Sequence, residues 1–318
     1  MYNTNNTGNL NQRTDLATEC VELFYKDSPP DADGIKTTHE EINGIVCDTM
    51  EIMEDRGAIK LGKPKGKYIT LDVGKIWLYS RDELETVIEV CADKLSGLLP
   101  KKGSCLLACL GNRQITADSQ GPLCSEYFIV SRHIKDNNPI LFSGLSLCET
   151  MCITPDVLGN TGIEAALTVK GIVEKAQPDF VIAVDSLASR KTSRLATTLQ
   201  MSNAGIAPGS GVGNHRMALC KESLGVPVIS IGVPTVVDAV TVGADILEEY
   251  FSKCEDSSIT PSLRASILKS VLESGSYGYF VTPKNSDVIS KSAARLIGMT
   301  INKALNPDLS CSDMEELV

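Results

Sequence analysis

Three short apolar runs, each stopped by a polar residue or a turn, constrain the fold of this chain most tightly. They are 104–110 (SCLLACL), stopped by Gly111 and Asn112; 180–184 (FVIAV), stopped by Asp185; and 226–233 (VPVISIGV), stopped by Pro234 and Thr235. Unbroken runs of this length fit strands buried on both faces, as in a parallel sheet. Helical periodicity alternates with the runs, over 122–134 after the first, 158–175 before the second and 236–250 after the third, with Thr161 and Glu164 in capping-box spacing. Strands alternating with helices imply right-handed crossovers. The expected fold is one α/β domain, a twisted, mostly parallel or mixed sheet flanked by helices on both faces.

The rest of the chain fits around that frame. Residues 38–56 place Ile42, Ile45, Val46, Met50 and Met53 on one helical face, and 67–73 alternate as a strand. Helices are expected over 81–99, 262–272 and 285–305, and a strand over 277–282. The first dozen residues read as a mobile tail, and the acidic end at 310–318 as a frayed one. At 318 residues the chain can bury a sizeable core without staples.

Charge and composition exclude some partners. Lys and Arg number 30 against 40 Asp and Glu, a net charge of −10, and aromatics are 5%. Phosphate neutralisation needs basic faces and base stacking needs aromatics, so no nucleic-acid partner is expected. No apolar stretch approaches the roughly 20 residues that cross a bilayer, and the polar N-terminus lacks a signal-peptide core. A cytosolic protein with no membrane partner is expected. The eleven cysteines then read as reduced, buried small hydrophobes. Cys105/Cys109 and Cys148/Cys152 have three residues between partners, which is not the spacing of zinc or redox sites.

In open α/β sheets, function gathers at the carboxyl ends of strands. Two such ends carry aspartates. Asp118 lies in the polar loop after the first run, and Asp185 directly ends the second. Each also reads as a cap: Asp118 as an Asx-turn or N-cap residue, Asp185 as the N-cap of a helix starting near Leu187. The glycines of 203–214 (Gly205, Gly209, Gly211, Gly213) form a flexible loop without the Gly-Lys-Ser/Thr ending of a nucleotide-binding P-loop. A nucleotide-responsive binding protein built on that loop is the non-enzymatic alternative. His39 reads as solvated at a helix start, His133 as ending a helix, and His215 follows the glycine loop; none has ligand spacing. With no nucleophile elbow and no cysteine in a nucleophile context, carboxylates remain for acid–base chemistry. Two adjacent aspartates can share one proton and hold one water, one ionised as base and one protonated as acid. The residues by themselves leave the dyad and the pair of independent caps both open.

Longer motifs go further. RTDLATE (13–19), LGNRQITADSQGP (110–122), VLGNTGIE (157–164), PDFVIAVDSLASR (178–190), PGSGVGN (208–214) and GVPVISIGVPTVVDAVT (225–241) cover most of the chain in register. This chain resembles the germination protease family of spore-forming bacteria through them. The resemblance implies an atypical aspartic-type endopeptidase that degrades small acid-soluble spore proteins in the cytoplasm of the forespore or spore core. Its catalytic aspartates fall on Asp118 and Asp185. It implies a fold similar to hydrogenase-maturation endopeptidases, whose matching carboxylates bind a metal. No cofactor is expected, and a metal-dependent peptidase using the same carboxylates is the alternative. It further implies a homotetramer, made as a zymogen that removes its own N-terminal segment. Family substrates are cut between an acidic and a hydrophobic residue followed by Ala-x-Glu, and residues 15–19 (DLATE) have that form. A propeptide of residues 1–15, a peptidase domain of 16–318 and cleavage between Asp15 and Leu16 follow, at an accessible junction of tail and body. Asn112 and Arg113 are candidates to orient Asp118, and Gly209, Gly211 and Gly213 to line the substrate cleft. Where the family usually has Pro before its first aspartate and Ala-Leu after it, this chain has Ala117, Ser119 and Gln120; Asn160 replaces a usual Gln. These departures bear on the loop's rigidity rather than its carboxylate.

Overall fold

A computed structural model describes residues 14–25, 30–208, 217–253, 259–274 and 278–318. Its strands are β1 (Ile35–Ile42), β2 (Ile45–Ile52), β3 (Gly66–Asp72), β4 (Cys105–Cys109), β5 (Thr150–Ile153), β6 (Phe180–Val184), β7 (Leu187–Ser189), β8 (Thr198–Ser202), β9 (Val228–Gly232), β10 (Pro234–Asp238) and β11 (Phe280–Val281). Eight of them form one mixed sheet in the order β1-β2-β3-β8-β9-β6-β4-β5. The three apolar runs are its centre. β4, β6 and β9 are buried at every residue, and the pairs β9/β6, β6/β4 and β4/β5 are parallel. The other half, from β1 to β9, is antiparallel. A second sheet, β11-β10-β7, lies beside the strand ends.

Period-2 alternation sends successive side chains of the central strands to opposite faces. Cys105, Leu107 and Cys109 of β4 join Phe180, Ile182 and Val184 of β6 in one core with the helices Arg81–Ser96 and Ser286–Leu305. Leu106 and Ala108 join Val181 and Ala183 in another, under Val169 and Val173 of the helix Ala165–Ala176. Helices therefore cover both faces, as expected. A third cluster packs Ala17 and Cys20 of the helix Ala17–Phe24 against Ile35, Met50, Ile52 and Tyr68.

Several expected elements differ. Residues 38–56 are not a helix but the β1/β2 hairpin. Asn43 (φ 52°) and Gly44 (φ 78°) form the two-residue turn between Ile42 and Ile45, and both take the left-handed conformation that such a turn requires. His39 accordingly sits on a strand, exposed and bonded to Asp48 across the pair at 2.7 Å. The helix expected over 122–134 is broken. A short helix Gln120–Cys124 is separated from Arg132–Asn137, which contains His133 rather than ending at it. The helix expected over 158–175 is interrupted at Gly162 (φ 72°), and Thr161 bonds Ile163 instead of boxing with Glu164. Residues 234–238 are β10, so the following helix is Ala239–Lys253. The acidic end is no frayed tail: Ser310 and Asp313 cap a helix Cys311–Glu316 that buries Met314 completely. Ten cysteines are described and all are unbridged; Cys254 lies outside the described residues.

Candidate active site

Both aspartates stand at the carboxyl ends of neighbouring parallel strands. Cys109 of β4 pairs with Val184 of β6, and Leu110 N donates to Val184 O at 2.8 Å. Asp185 is therefore the first residue past β6, and the Asp118 loop rises from the end of β4 next to it. Asp118 and Asp185 line one cleft, together with Asp15 and Asp156.

Asp118 is held by its own loop. Gly111 (φ 112°) reverses the chain, and Asn112 N then donates to Asp118 Oδ2 at 2.9 Å. A Cβ on Gly111 would lie 2.1 Å from Asp118 O, so the turn closes only on glycine. Asn112 thus positions Asp118 through its backbone, while its side chain accepts from Gln114 N at 2.9 Å. The Arg113 guanidinium pairs with exposed Glu126 and is not among the residues lining the cleft. Three further groups fasten the loop. Thr235 Oγ1 donates to Ala117 O at 2.6 Å, Ser290 Oγ to Thr116 O at 2.9 Å, and Gln120 reaches Val233.

Gln120 ties the loop to the strand end at Val233. It is fully buried; its Oε1 accepts from Val233 N at 2.9 Å and its Nε2 donates to Val233 O at 3.4 Å. The loop is tied by a carboxamide in this chain. Gln120→Leu strips the acceptor from buried Val233 N, while Val233 O keeps Leu187 N at 3.2 Å, and is expected to cost about 1–3 kcal/mol, read as a lower midpoint in chemical denaturation.

Asp185 is 5% exposed. Its Oδ1 accepts from Ser186 N at 2.9 Å, and its carbonyl rests where a Cβ on Gly232 would come within 2.1 Å. It caps no helix, because the residues after it form β7. Asp156 has φ 61°; its carboxylate accepts from Val157 N and Asn160 Nδ2, a local tie at the cleft wall.

The junction expected to be accessible is embedded instead. Asp15 N donates to Ala188 O and Ala188 N to Asp15 Oδ2, both at 2.8 Å, so residue 15 docks on β7. Leu16 and Ala17 are fully buried. Glu19, 1% exposed, accepts from Arg190 N at 2.6 Å and Lys191 N at 2.9 Å, and Thr14 Oγ1 donates to it as well. Burying three of the five residues of DLATE almost completely removes the exposure that an outside protease would need. Gly209, Gly211, Gly213 and His215 lie outside the described residues.

Two groups with no place in the sequence-based expectations, Gln200 on β8 and Lys63 after the helix Asp55–Leu61, line a cavity of their own with Asp15. Both donate to the carbonyl of Asp15. Gln200 carried a signal, a polar residue inside a strand-like stretch; Lys63 carried none. Among the described residues no group of three or more His, Cys, Asp or Glu side chains is placed to hold a metal ion, and no helix is long and apolar enough to cross a membrane.

The sequence profile of a family described as germination protease matches residues 14–258. A germination protease of Caldanaerobacter subterraneus subsp. tengcongensis is 39% identical, covering 97% of this chain and 98% of its own length. One from Clostridium acetobutylicum is 36% identical over 96% and 98%, and one from Bacillus velezensis 39% identical over 81% and 74%. Among solved structures, a NiFe hydrogenase maturation protease from Thermococcus kodakarensis KOD1 aligns with 67% of this chain and 98% of its own. Its TM-score is 0.36 and its identity 16%.

Proposed function

The chain belongs to the germination protease family, and we propose that it begins the degradation of small acid-soluble spore proteins after removing its own residues 1–15. Family membership makes it an endopeptidase. The finer reading is that Asp118 and Asp185 activate water, with a homotetrameric assembly and action in the spore core as part of the same proposal. One observation carries it: Asp118, Asp185 and Asp15 line a single cleft, so the candidate carboxylates and the residue before the candidate bond share one volume.

Chemically, the ionised aspartate takes a proton from water as it adds to the peptide carbonyl, and the protonated one gives a proton to the departing amine. This division of roles requires the two carboxylates to share one proton, as two acids in a single cleft can do. Mild acidity suits this chemistry by supplying the shared proton.

Mass spectrometry of the full chain incubated in mild acid tests the proposal. The expected product begins at Leu16, and a chain that stays intact counts against self-processing. The same incubation with a chelator separates the metal-dependent alternative: unchanged processing favours carboxylates alone, and loss of processing favours a metal. A parallel incubation with a small acid-soluble spore protein is expected to show cleavage after acidic residues.

A further inference from the structure

We infer that Gln200 and Lys63 form the electrophilic half of the self-cleavage site, binding the carbonyl oxygen of residue 15 as charge develops on it. The inference rests on the reading that the bond between Asp15 and Leu16 is the one cut. Asp15 O accepts from Gln200 Nε2 at 2.8 Å and from Lys63 Nζ at 3.0 Å. Lys63 also reaches Thr14 O, at the longer 3.3 Å. Both lone pairs of this carbonyl are therefore met by side-chain donors, and one of them is an ammonium group.

The same carboxamide grips the far side of the bond. Gln200 Oε1 accepts from Ala17 N at 2.6 Å. One side chain, 7% exposed, therefore spans Asp15 O and Ala17 N, and Leu16 between them is extended (φ −77°, ψ 120°). On the N-terminal side, residue 15 is paired to β7 through Ala188 N and O. The peptide is held extended and fixed on both sides of the bond, with Asp15 itself in the cleft that holds Asp118 and Asp185. Asp15 also lines the cavity that holds Lys63 and Gln200, so residue 15 is shared between the two donors' cavity and the cleft of the two carboxylates.

The step balances without a further reactant. Water oxygen adds to the Asp15 carbonyl carbon while one carboxylate of the dyad takes the water proton. The carbonyl π pair moves to oxygen, where Gln200 Nε2–H and Lys63 Nζ–H meet it. As the oxyanion collapses, the C–N bond to Leu16 breaks and the leaving nitrogen takes a proton from the protonated carboxyl group. The products are a carboxylate on Asp15 and an amine on Leu16. Both donor bonds strengthen as the oxygen gains charge, so they act on the barrier more than on the ground state.

The test uses the full chain. Lys63→Met removes the charged donor, and Gln200→Glu removes the amide donor while keeping an acceptor for Ala17 N. Each is expected to slow appearance of the Leu16 N-terminus by about 10²–10³-fold, with the folded circular dichroism spectrum retained. Lys63→Arg, which keeps a cationic donor, restores most of the rate. Wild-type rates in Lys63→Met and Gln200→Glu, with the wild type cut at Leu16, overturn this inference alone. An Arg variant as slow as the Met variant overturns the role of Lys63. A wild type not cut at Leu16 overturns the self-cleavage reading, and the inference with it.

Discussion

Asp118→Asn and Asp185→Asn are each expected to lower both self-processing and cleavage of a spore protein by about 10²–10⁴-fold, the range for loss of a positioned acid or base. The fold should persist in both. Asp118 Oδ2 accepts from Asn112 N and Asp185 Oδ1 from Ser186 N, and an asparagine carbonyl keeps one such acceptor at nearly the same place. The substitution removes the ability to carry and exchange a proton and leaves shape and local hydrogen bonding nearly unchanged. Rates from timed mass spectra, set beside thermal melts, check both halves. Full activity in either variant would sink the dyad. Full activity in Asp185→Asn alone would leave Asp118 acting with some other group of the cleft, and Asp156 is already tied into its turn by Val157 N and Asn160.

The parts of this fold that were legible are those where burial dictates composition. β4, β6 and β9 lie under helices on both faces, so every position must be apolar, and their sequences announce it. Asp185 was legible for the same reason, as a charge at the end of a run that tolerates none. The antiparallel half was harder. β1 is exposed at most positions, so its residues carry no burial pattern, and the apolar residues on β2 fall by chance at helical spacing across the turn. The Asn43-Gly44 pair was the signal that outweighs such spacing. β8 was hidden by Gln200, whose polarity serves a contact with Asp15 and Ala17 that no local pattern reveals. Arg113 stood next to the right residues in sequence, yet its side chain runs to Glu126; adjacency along a loop says little about direction. The embedding of Leu16 depends on β7, about 170 residues later, and no local reading of DLATE contains it.

Gly111→Ala is expected to lose activity and stability together, and Gly225→Ala is its control. Both glycines have positive φ, 112° and 80°, so both variants carry a backbone penalty. Around Gly225 a new Cβ meets nothing within 4 Å, and only that penalty of about 1–2 kcal/mol is expected. At Gly111 the Cβ lands 2.1 Å from the carbonyl oxygen of Asp118 and 3.1 Å from its Oδ1. The obstacle is backbone, and Thr235, Ser290 and Gln120 hold the loop that bears it, so it cannot swing aside cheaply. Either the turn opens and Asn112 N loses Asp118 Oδ2, or the carboxylate itself is displaced. Both cost geometry at the reacting group, where a shift of about 1 Å is enough for a roughly 10²-fold loss of rate. Gly111→Ala should therefore lose activity on that scale and about 2–4 kcal/mol of stability, while Gly225→Ala keeps the parent's activity. Denaturation curves and timed cleavage of the two variants side by side measure the difference. A fully active Gly111→Ala would mean that the tight packing of Asp118 on the β4 turn has no part in the chemistry, and that the carboxylate is positioned by something other than the loop that carries it.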